Sequence, residues 1–206
     1  MGSSTLLDIL GSMVIGGMLL LIIFRMHDAN VENIYTNSAE LIVQQDLTAI
    51  VELIEYDFRK IGYCKNYYKI PNPAAAIIHA DTSRISFLTD VAEPPTYPQG
   101  DGIIDTLSYY LGPTSELSIT PNPDDKLLYR VLNNDTPAGS NLGVTFFYII
   151  YFNALGAILP TPVQNPGEIA RMEIAVQVEN VAAYDEKYST IFWRQIRLVA
   201  RNLNNR

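Results

Sequence analysis

The feature that most constrains this chain is an apolar run near its amino terminus. The nineteen residues 6–24, LLDILGSMVIGGMLLLIIF, include a single ionisable side chain. An α-helix of this length, rising about 1.5 Å per residue, can cross the roughly 30 Å of hydrocarbon in a bilayer. A cleaved signal peptide would instead need a basic start, a shorter apolar core and a small-residue cleavage site, and the residues around MGSST show none of these. We therefore predict a transmembrane helix over residues 4–25.

The helical pattern continues beyond the apolar run. Neither proline nor glycine occurs between Arg25 and Gly62. Apolar residues recur at helical spacing, namely Ile34, Leu41, Leu47, Val51, Ile54, Phe58 and Ile61. Arg59 and Lys60, followed by Gly62, are typical of a helix carboxyl terminus. The pattern predicts an amphipathic continuation over residues 26–62, giving one rod about 85 Å long whose second half packs on something outside the membrane.

One acidic residue and several small residues lie within the predicted membrane helix. An ionised Asp8 would cost about 2.5–3.5 kcal/mol in lipid if it had no partner. It could sit at the interface and complement the helix dipole, or pair with a cation of a neighbouring subunit, most simply an amino terminus. Gly16 and Gly17, with Gly11 and Ser12, offer surfaces for close helix approach, although the glycine pair could equally loosen the helix. Asp8, Gly16 and Gly17 are therefore the candidate residues for subunit pairing.

Residues 63–206 have the pattern of an antiparallel sheet. Short runs of β-branched and aromatic residues alternate with turns rich in Pro, Gly, Asn and Asp. The predicted strands are residues 84–88, 106–111, 126–132, 144–152, 171–181 and 191–202. In the fifth, Met172, Ile174, Val176 and Val178 should face the core, and Glu173, Gln177 and Glu179 should face water. The run VTFFYIIYF is apolar on both faces, which predicts a central strand covered by the long helix, so the expected fold class is α+β.

Composition and motifs exclude several classes of function. The chain has 22 acidic and 14 basic residues, a formal charge of −8 that disfavours nucleic-acid binding. Its one cysteine and two histidines show no zinc-binding spacing. The nucleophile-elbow, P-loop and dinucleotide-binding motifs are missing from the sequence. We therefore predict that the protein is not an enzyme.

Several polar residues could either form a binding or catalytic site or have an ordinary structural role. Asp101 with Asp105, and Asp124 with Asp125, could supply oxygen ligands to Ca²⁺, the one cofactor considered, but neither pair fits the twelve-residue calcium loop. Solvated turns are the preferred interpretation, and no cofactor is expected. A second acidic group, Glu52, Glu55 and Asp57, is interpreted as the solvent face of the amphipathic helix. Cys64 is interpreted as a small structural residue.

Two segments resemble a known family. Ser4-Thr5-Leu6-Leu7-Asp8-Ile9-Leu10 resembles the opening of mature type IV pilins and type II secretion pseudopilins, which have glutamate at the fifth position, where this chain has Asp8. Asp57-Phe58-Arg59-Lys60-Ile61-Gly62-Tyr63 is similar to the segment that ends the long helix in W-type minor pilins and J-type minor pseudopilins. Other segments that resemble this subgroup are Ile85-Ser86-Phe87, Leu107-Ser108-Tyr109-Tyr110-Leu111, Leu128-Tyr129-Arg130, Val144-Thr145-Phe146-Phe147-Tyr148 and Arg201-Asn202.

The resemblance implies a structural role. It makes residues 1–3 a short leader, with processing between Ser3 and Ser4, although the family's peptidase cuts after glycine. It implies a minor pilin or pseudopilin with a tip or initiation role, and as partners other such subunits, an inner-membrane assembly platform and the bilayer before assembly. The carboxy-terminal domain would lie outside a single-pass inner-membrane anchor. The alternative is a membrane-anchored extracytoplasmic binding module that uses Tyr-rich and Pro-rich loops.

Overall fold

One helix dominates the molecule. A computed structural model describes residues 2–91, 100–133, 135–137, 139–180 and 190–198, with the backbone alone for residues 2–6 and 190–198. Helix α1 spans Gly2–Arg59 without interruption, 58 residues or about 87 Å. It passes Arg25 with no break, which confirms the predicted continuous rod.

The helix ends where the sequence places the stop signal. Gly62 has a φ of +70°, a conformation that side-chain-bearing residues rarely adopt. Its N–H donates to the carbonyl oxygen of Leu88 at 2.9 Å, so the chain docks on the sheet immediately after leaving the helix. A Cβ at this position would also lie 3.2 Å from the side chain of Pro73. The turn therefore fixes the end of the rod against the sheet.

The remaining chain forms one antiparallel sheet in which sequence neighbours are spatial neighbours. Its seven strands are ordered β1 to β7 across the sheet. They are β1 Ile77–Ala80, β2 Arg84–Thr89, β3 Asp105–Leu111, β4 Lys126–Leu132, β5 Gly139–Phe152, β6 Arg171–Glu179 and β7 Thr190–Leu198. Short 3₁₀ turns occur at Tyr67–Lys69, Pro73–Ala75, Thr114–Leu117 and Pro166–Glu168. A long helix on an antiparallel sheet confirms the α+β class.

All six predicted strands are present, and the sequence missed one. Strand β1 has only four residues and follows the turn PNPAAA, so it gave little periodic signal. Strand β5 begins five residues earlier than predicted, at Gly139, because its polar start pairs with β4. Residue 181 and residues 199–202, which were assigned to the last two predicted strands, lie outside the described residues.

The second half of the helix forms part of the hydrophobic core. Its buried residues begin at Val43 and continue through Ile50, Ile54 and Phe58. The Phe58 ring packs 5.3 Å from that of Phe87 and 5.5 Å from that of Tyr109, between ring centroids. Further along, the helix contacts β5, β6 and β7. The core therefore requires the helix as much as the sheet.

The two faces of the central strands differ from the prediction in detail. Met172, Ile174, Val176 and Val178 are fully buried, as expected. Glu173 on the opposite face is also buried, so the prediction of a wet face is wrong there. In β5 the helix covers only one face: Phe146 and Tyr148 are exposed on the other, with their rings stacked 5.8 Å apart. The sheet therefore has a single covering layer at this strand.

We predict that the sheet cannot fold without its helix. A fragment of residues 63–206 lacks Val43, Ile50, Ile54 and Phe58, and losing each large buried side chain costs about 2–5 kcal/mol, more in total than a domain of this size can lose. A fragment of residues 28–206 keeps them all. Circular dichroism and urea titration should show a cooperative transition for residues 28–206 and none for residues 63–206. A cooperatively folded 63–206 fragment would contradict this packing.

Candidate assembly surface

The amino-terminal part of the helix carries exposed apolar side chains that pack on no other element in the described part of the chain. Its most apolar eighteen-residue stretch has a mean hydropathy of 2.3, and none of it is buried. From Leu7 to Met26 every large apolar side chain is exposed, Met13 to 76%. Burying such a side chain is worth roughly 1.5–3 kcal/mol. By length and composition this helix can cross a membrane, and its surface is stable only in lipid or against other apolar helices.

The predicted pairing residues lie on this open surface. Asp8 is exposed, and a Cβ added to Gly16 or Gly17 would meet no atom within 4 Å. Asp8, Ser12 and Gly16 are spaced by four and therefore share one side of the helix. The Ser12 hydroxyl donates to the carbonyl oxygen of Ile9 at 2.9 Å, so it leaves no polar group pointing outward. The pairing role of Asp8, Gly16 and Gly17 stays a prediction.

The processing position is described only by its backbone. Ser3 and Ser4 are helical within α1, and their side chains lie outside the described part of the chain. Cleavage there stays a prediction from the resemblance.

A buried ion pair anchors the other end of the helix to the sheet. Asp57 is 2% exposed and accepts a hydrogen bond from the Tyr109 hydroxyl. Arg130 donates from Nε to Asp57 Oδ2 at 2.6 Å and from Nη2 to Oδ1 at 3.2 Å. Tyr109 of β3 and Arg130 of β4 are directly opposite each other in the sheet, so the two strands present both donors to one carboxylate.

The environment of this triad keeps Tyr109 neutral and Arg130 charged. Burial and the neighbouring Asp57 carboxylate raise the pKa of Tyr109, so its hydroxyl remains a donor. Burial alone would lower the pKa of Arg130, but its hydrogen bonds and attraction to Asp57 outweigh that effect and raise the pKa. The triad is therefore a fixed structural anchor at ordinary pH.

The sequence misassigned Asp57. We expected it on the solvent face with Glu52 and Glu55, and that expectation is wrong for Asp57. Glu52 is exposed, and Glu55 pairs with Arg59 at 2.8 Å at the surface. Asp57 lies between the buried Ile54 and Phe58 and so flanks the apolar stripe, and the resemblance itself contains this aspartate. These two signals could have identified it.

A second buried carboxylate ties together the loops beyond the helix. Asp90 is fully buried; its Oδ2 accepts from the N–H groups of Lys65 and Gly102, both at 2.9 Å, and its Oδ1 accepts from that of Asp101 at 3.0 Å. Cys64 Sγ lies 3.6 Å from the same carboxylate, and burial raises the pKa of its thiol. Asp90 therefore fixes residues 65–69 against residues 100–102.

The aspartates considered as Ca²⁺ ligands make other contacts. Asp101 Oδ1 accepts from the N–H of Ile103 at 2.7 Å. Asp105 accepts from the N–H of Val91 at 3.0 Å and from Asn133 Nδ2 at 2.9 Å. Within the described ranges, no three His, Cys, Asp or Glu side chains are grouped so as to hold a metal ion. The expectation that the protein has no cofactor stays a prediction.

Asp125 differs from these because it is buried without a donor. It is 1% exposed, and neither carboxylate oxygen accepts a hydrogen bond from the part of the chain described. Burial raises its pKa, the nearby Thr120 hydroxyl opposes this, and the Glu179 and Asp124 carboxylates raise it further. The interpretation of this turn as solvated is wrong at Asp125, although Asp124 is exposed. The fold therefore tolerates a destabilising carboxylate here.

We predict that Asp57→Asn weakens the anchor. The amide cannot compensate the charge of Arg130, which is only 29% exposed, so we expect a loss of about 2–3 kcal/mol in the free energy of unfolding. Glu52→Gln, an exposed change on the same helix, should cost no more than about 0.5 kcal/mol. Urea titration of the 28–206 fragments measures both. Equal stability of the two variants would show that the triad does not anchor the helix.

We predict that Asp125→Asn stabilises the protein in a pH-dependent way. The folded-state pKa of Asp125 is raised above its ordinary value of 3.8, so the penalty is absent below that pH and complete above the folded-state pKa. The variant should gain about 1–3 kcal/mol at pH 7.5, and the gain should vanish as the pH falls below 4. Asp124→Asn is the matched control and should change little. A gain that is the same at every pH would contradict the assignment.

Comparison with known proteins finds likeness among solved structures. No protein-family model matches the sequence, and no curated protein matches it. Among solved structures, the chain is similar to a type IV-like pilin from Thermus thermophilus, with a TM-score of 0.42 and 8% sequence identity. The match covers 75% of this chain and 95% of that one.

Proposed function

We propose that this protein is a membrane-anchored structural subunit of a type IV pilin-like filament. One observation carries the proposal: a single unbroken helix has its second half buried in the core and its first half apolar and bare. A surface of that kind has two stable environments, a bilayer and a bundle of similar helices. A subunit that moves from the first to the second assembles a filament without any catalytic group.

The free energy of moving the apolar helix from lipid into a helix bundle accounts for its apolar surface and its continuity. Removing nineteen apolar residues from lipid is strongly unfavourable unless neighbouring helices replace the lipid. Because the rod has no hinge at Arg25, insertion of the bare half into a bundle also fixes the position of the sheet domain outside it. Asp8 supplies the one charge in this apolar surface, and pairing it in a bundle would remove the cost of burying it.

The finer assignments rest on the sequence resemblance. The opening around Ser4 and Asp8 supports a pilus or a type II secretion pseudopilus, and the segment from Asp57 to Tyr63 supports a minor subunit with a tip or initiation role. In this proposal the helix resides in the inner membrane before assembly, with the sheet domain outside. Its partners are other pilin or pseudopilin subunits and the inner-membrane assembly platform.

We predict that single changes on the bare helix abolish assembly. In cells that assemble the protein, Asp8→Ala and Gly16→Leu should each lower the yield of sheared filaments, or of the secreted substrate, by at least about tenfold, because they remove a buried pairing and a close approach. Asp8→Glu and Met13→Leu are the matched controls and should assemble. Membrane levels of all four chains are measured in parallel.

Intact filaments from both Asp8→Ala and Gly16→Leu would eliminate the filament proposal. They would favour the membrane-anchored binding module, for which the apolar helix is only an anchor.

A further inference from the structure

A basic and aromatic loop lies just beyond the end of the helix. This basic loop, residues 65–69, consists entirely of exposed residues, and Tyr68 is 76% exposed. The rings of Tyr67 and Tyr68 lie 4.1 Å apart between centroids. With residues 101–103 the loop lines an open cleft of about 500 Å³. Tyrosine side chains are enriched at protein contact surfaces relative to the rest of the surface.

The loop is rigid and its charges are available. Asp90 holds the N–H groups of Lys65 and Gly102, and Asn66 accepts a hydrogen bond from the N–H of Tyr68 at 3.3 Å. Neither Lys65 nor Lys69 forms an ion pair with any residue in the described ranges, although Asp101 also lines the cleft. The shape of this surface is therefore set before any partner arrives.

An acidic surface lies nearer the amino terminus of the same helix. The lower helix segment, residues 27–42, extends beyond the predicted membrane helix and precedes Val43, the first core residue. It carries three exposed acids and no Lys or Arg, since no Lys or Arg occurs between Arg25 and Arg59. Its exposed side chains include the acidic Asp28, Glu32 and Glu40 and the apolar Ile34, Leu41 and Ile42. Because this segment lies outside the predicted membrane helix, its apolar residues are exposed to water unless another protein covers them.

These two surfaces cannot meet within one chain. From Ile34 to Arg59 the helix rises about 38 Å, and it has no break that would let it fold back. They can meet when a second rod of the same orientation is displaced by about that distance along the helix axis. Anchoring in one membrane, as the proposed function requires, gives every copy the same orientation.

We propose that the basic loop of one copy docks on the lower helix segment of a second copy of this chain. Lys65 and Lys69 meet carboxylates on the side of the second helix that carries Asp28, Glu32 and Glu40, and the tyrosine rings pack beside them. A second copy is the partner because both complementary surfaces occur in this one chain. The contact is head-to-tail, so it can repeat without closing and builds a filament. This inference rests on the filament assembly in the proposed function and, unlike the tip or initiation role, requires several copies of this chain in one filament.

Cysteine crosslinking of the full-length chain in cells that assemble the protein into filaments tests the contact. In a Cys64→Ala background, the pair Glu32→Cys and Lys69→Cys in one chain should yield an oxidised ladder of dimers, trimers and longer species, because each copy offers one end to the next. The matched control keeps Lys69→Cys and replaces Glu32→Cys by Glu168→Cys, an exposed acid on the sheet domain. It should give no ladder.

Charge exchange in the ladder chain tests the chemistry. Adding Lys65→Glu should lower the ladder yield about fivefold, and adding Asp28→Lys to that chain should restore it, as expected for a pair of exposed opposite charges. Arg84→Glu makes the same charge change on the sheet and should have no effect. An undiminished ladder with Lys65→Glu would overturn the charge pairing.

A second crosslink separates this inference from the proposed function. Met18→Cys, placed on the bare helix in the same Cys64→Ala background, reports helix bundling alone. Dimers through Met18→Cys without a ladder between positions 32 and 69, or with crosslinks at those positions only to other proteins, would overturn the docking inference and leave the filament proposal standing. Loss of both crosslinks would overturn both.

Discussion

The structure depends on one constraint, that a single helix must satisfy two environments at once. From Val43 onward its apolar stripe fills the core of the sheet domain, whereas before Arg25 its apolar surface is exposed and has no partner among the described residues. Because the backbone hydrogen bonds run without a break from Gly2 to Arg59, the two halves cannot move independently. The position of the sheet is therefore fixed relative to whatever surrounds the apolar half.

Such coupling requires that the helix be held firmly by the sheet. Apolar packing around Phe58 is non-directional, and it alone would allow the helix to rotate or slide. The Asp57 carboxylate adds direction, since it receives donors from two adjacent strands, Tyr109 of β3 and Arg130 of β4. Asp90 then fixes the loops that leave the helix. Both carboxylates have their donors, unlike Asp125, which shows that the fold tolerates an uncompensated group away from the helix contact.

The stiffness of the helix also determines which molecules its acidic segment and the basic loop can contact. A rod that cannot bend cannot bring its own acidic segment near its own lysines, so charges separated along it attract only a neighbour. Proteins that assemble head-to-tail need two different surfaces of this kind on each copy. In this protein the two surfaces are the basic loop and the lower helix segment. The rise of the continuous helix fixes the distance between them along the helix axis.

Much of the architecture could be predicted from the sequence because helices and strands produce different periodic patterns of apolar residues. Nineteen apolar residues predict a membrane-length helix, and the 3.6-residue stripe up to Gly62 predicts its continuation. Alternation in residues 171–179 predicts a strand with one buried face, and the six strands lie where β-branched runs occur between turns. The short strand β1 was missed because four residues between turns carry no period.

What the sequence alone could not determine is which polar residues the fold would bury. Asp57 flanks the apolar stripe of the helix, but only the approach of β3 and β4 from one side places Tyr109 and Arg130 around its carboxylate. Asp124 and Asp125 are adjacent and chemically identical, yet the start of β4 exposes one and buries the other. Periodicity is a local property, so the sequence determined the helix, the strands and the apolar surface. Burial and hydrogen-bond partners depend on segments distant in sequence, so the tertiary structure decided those.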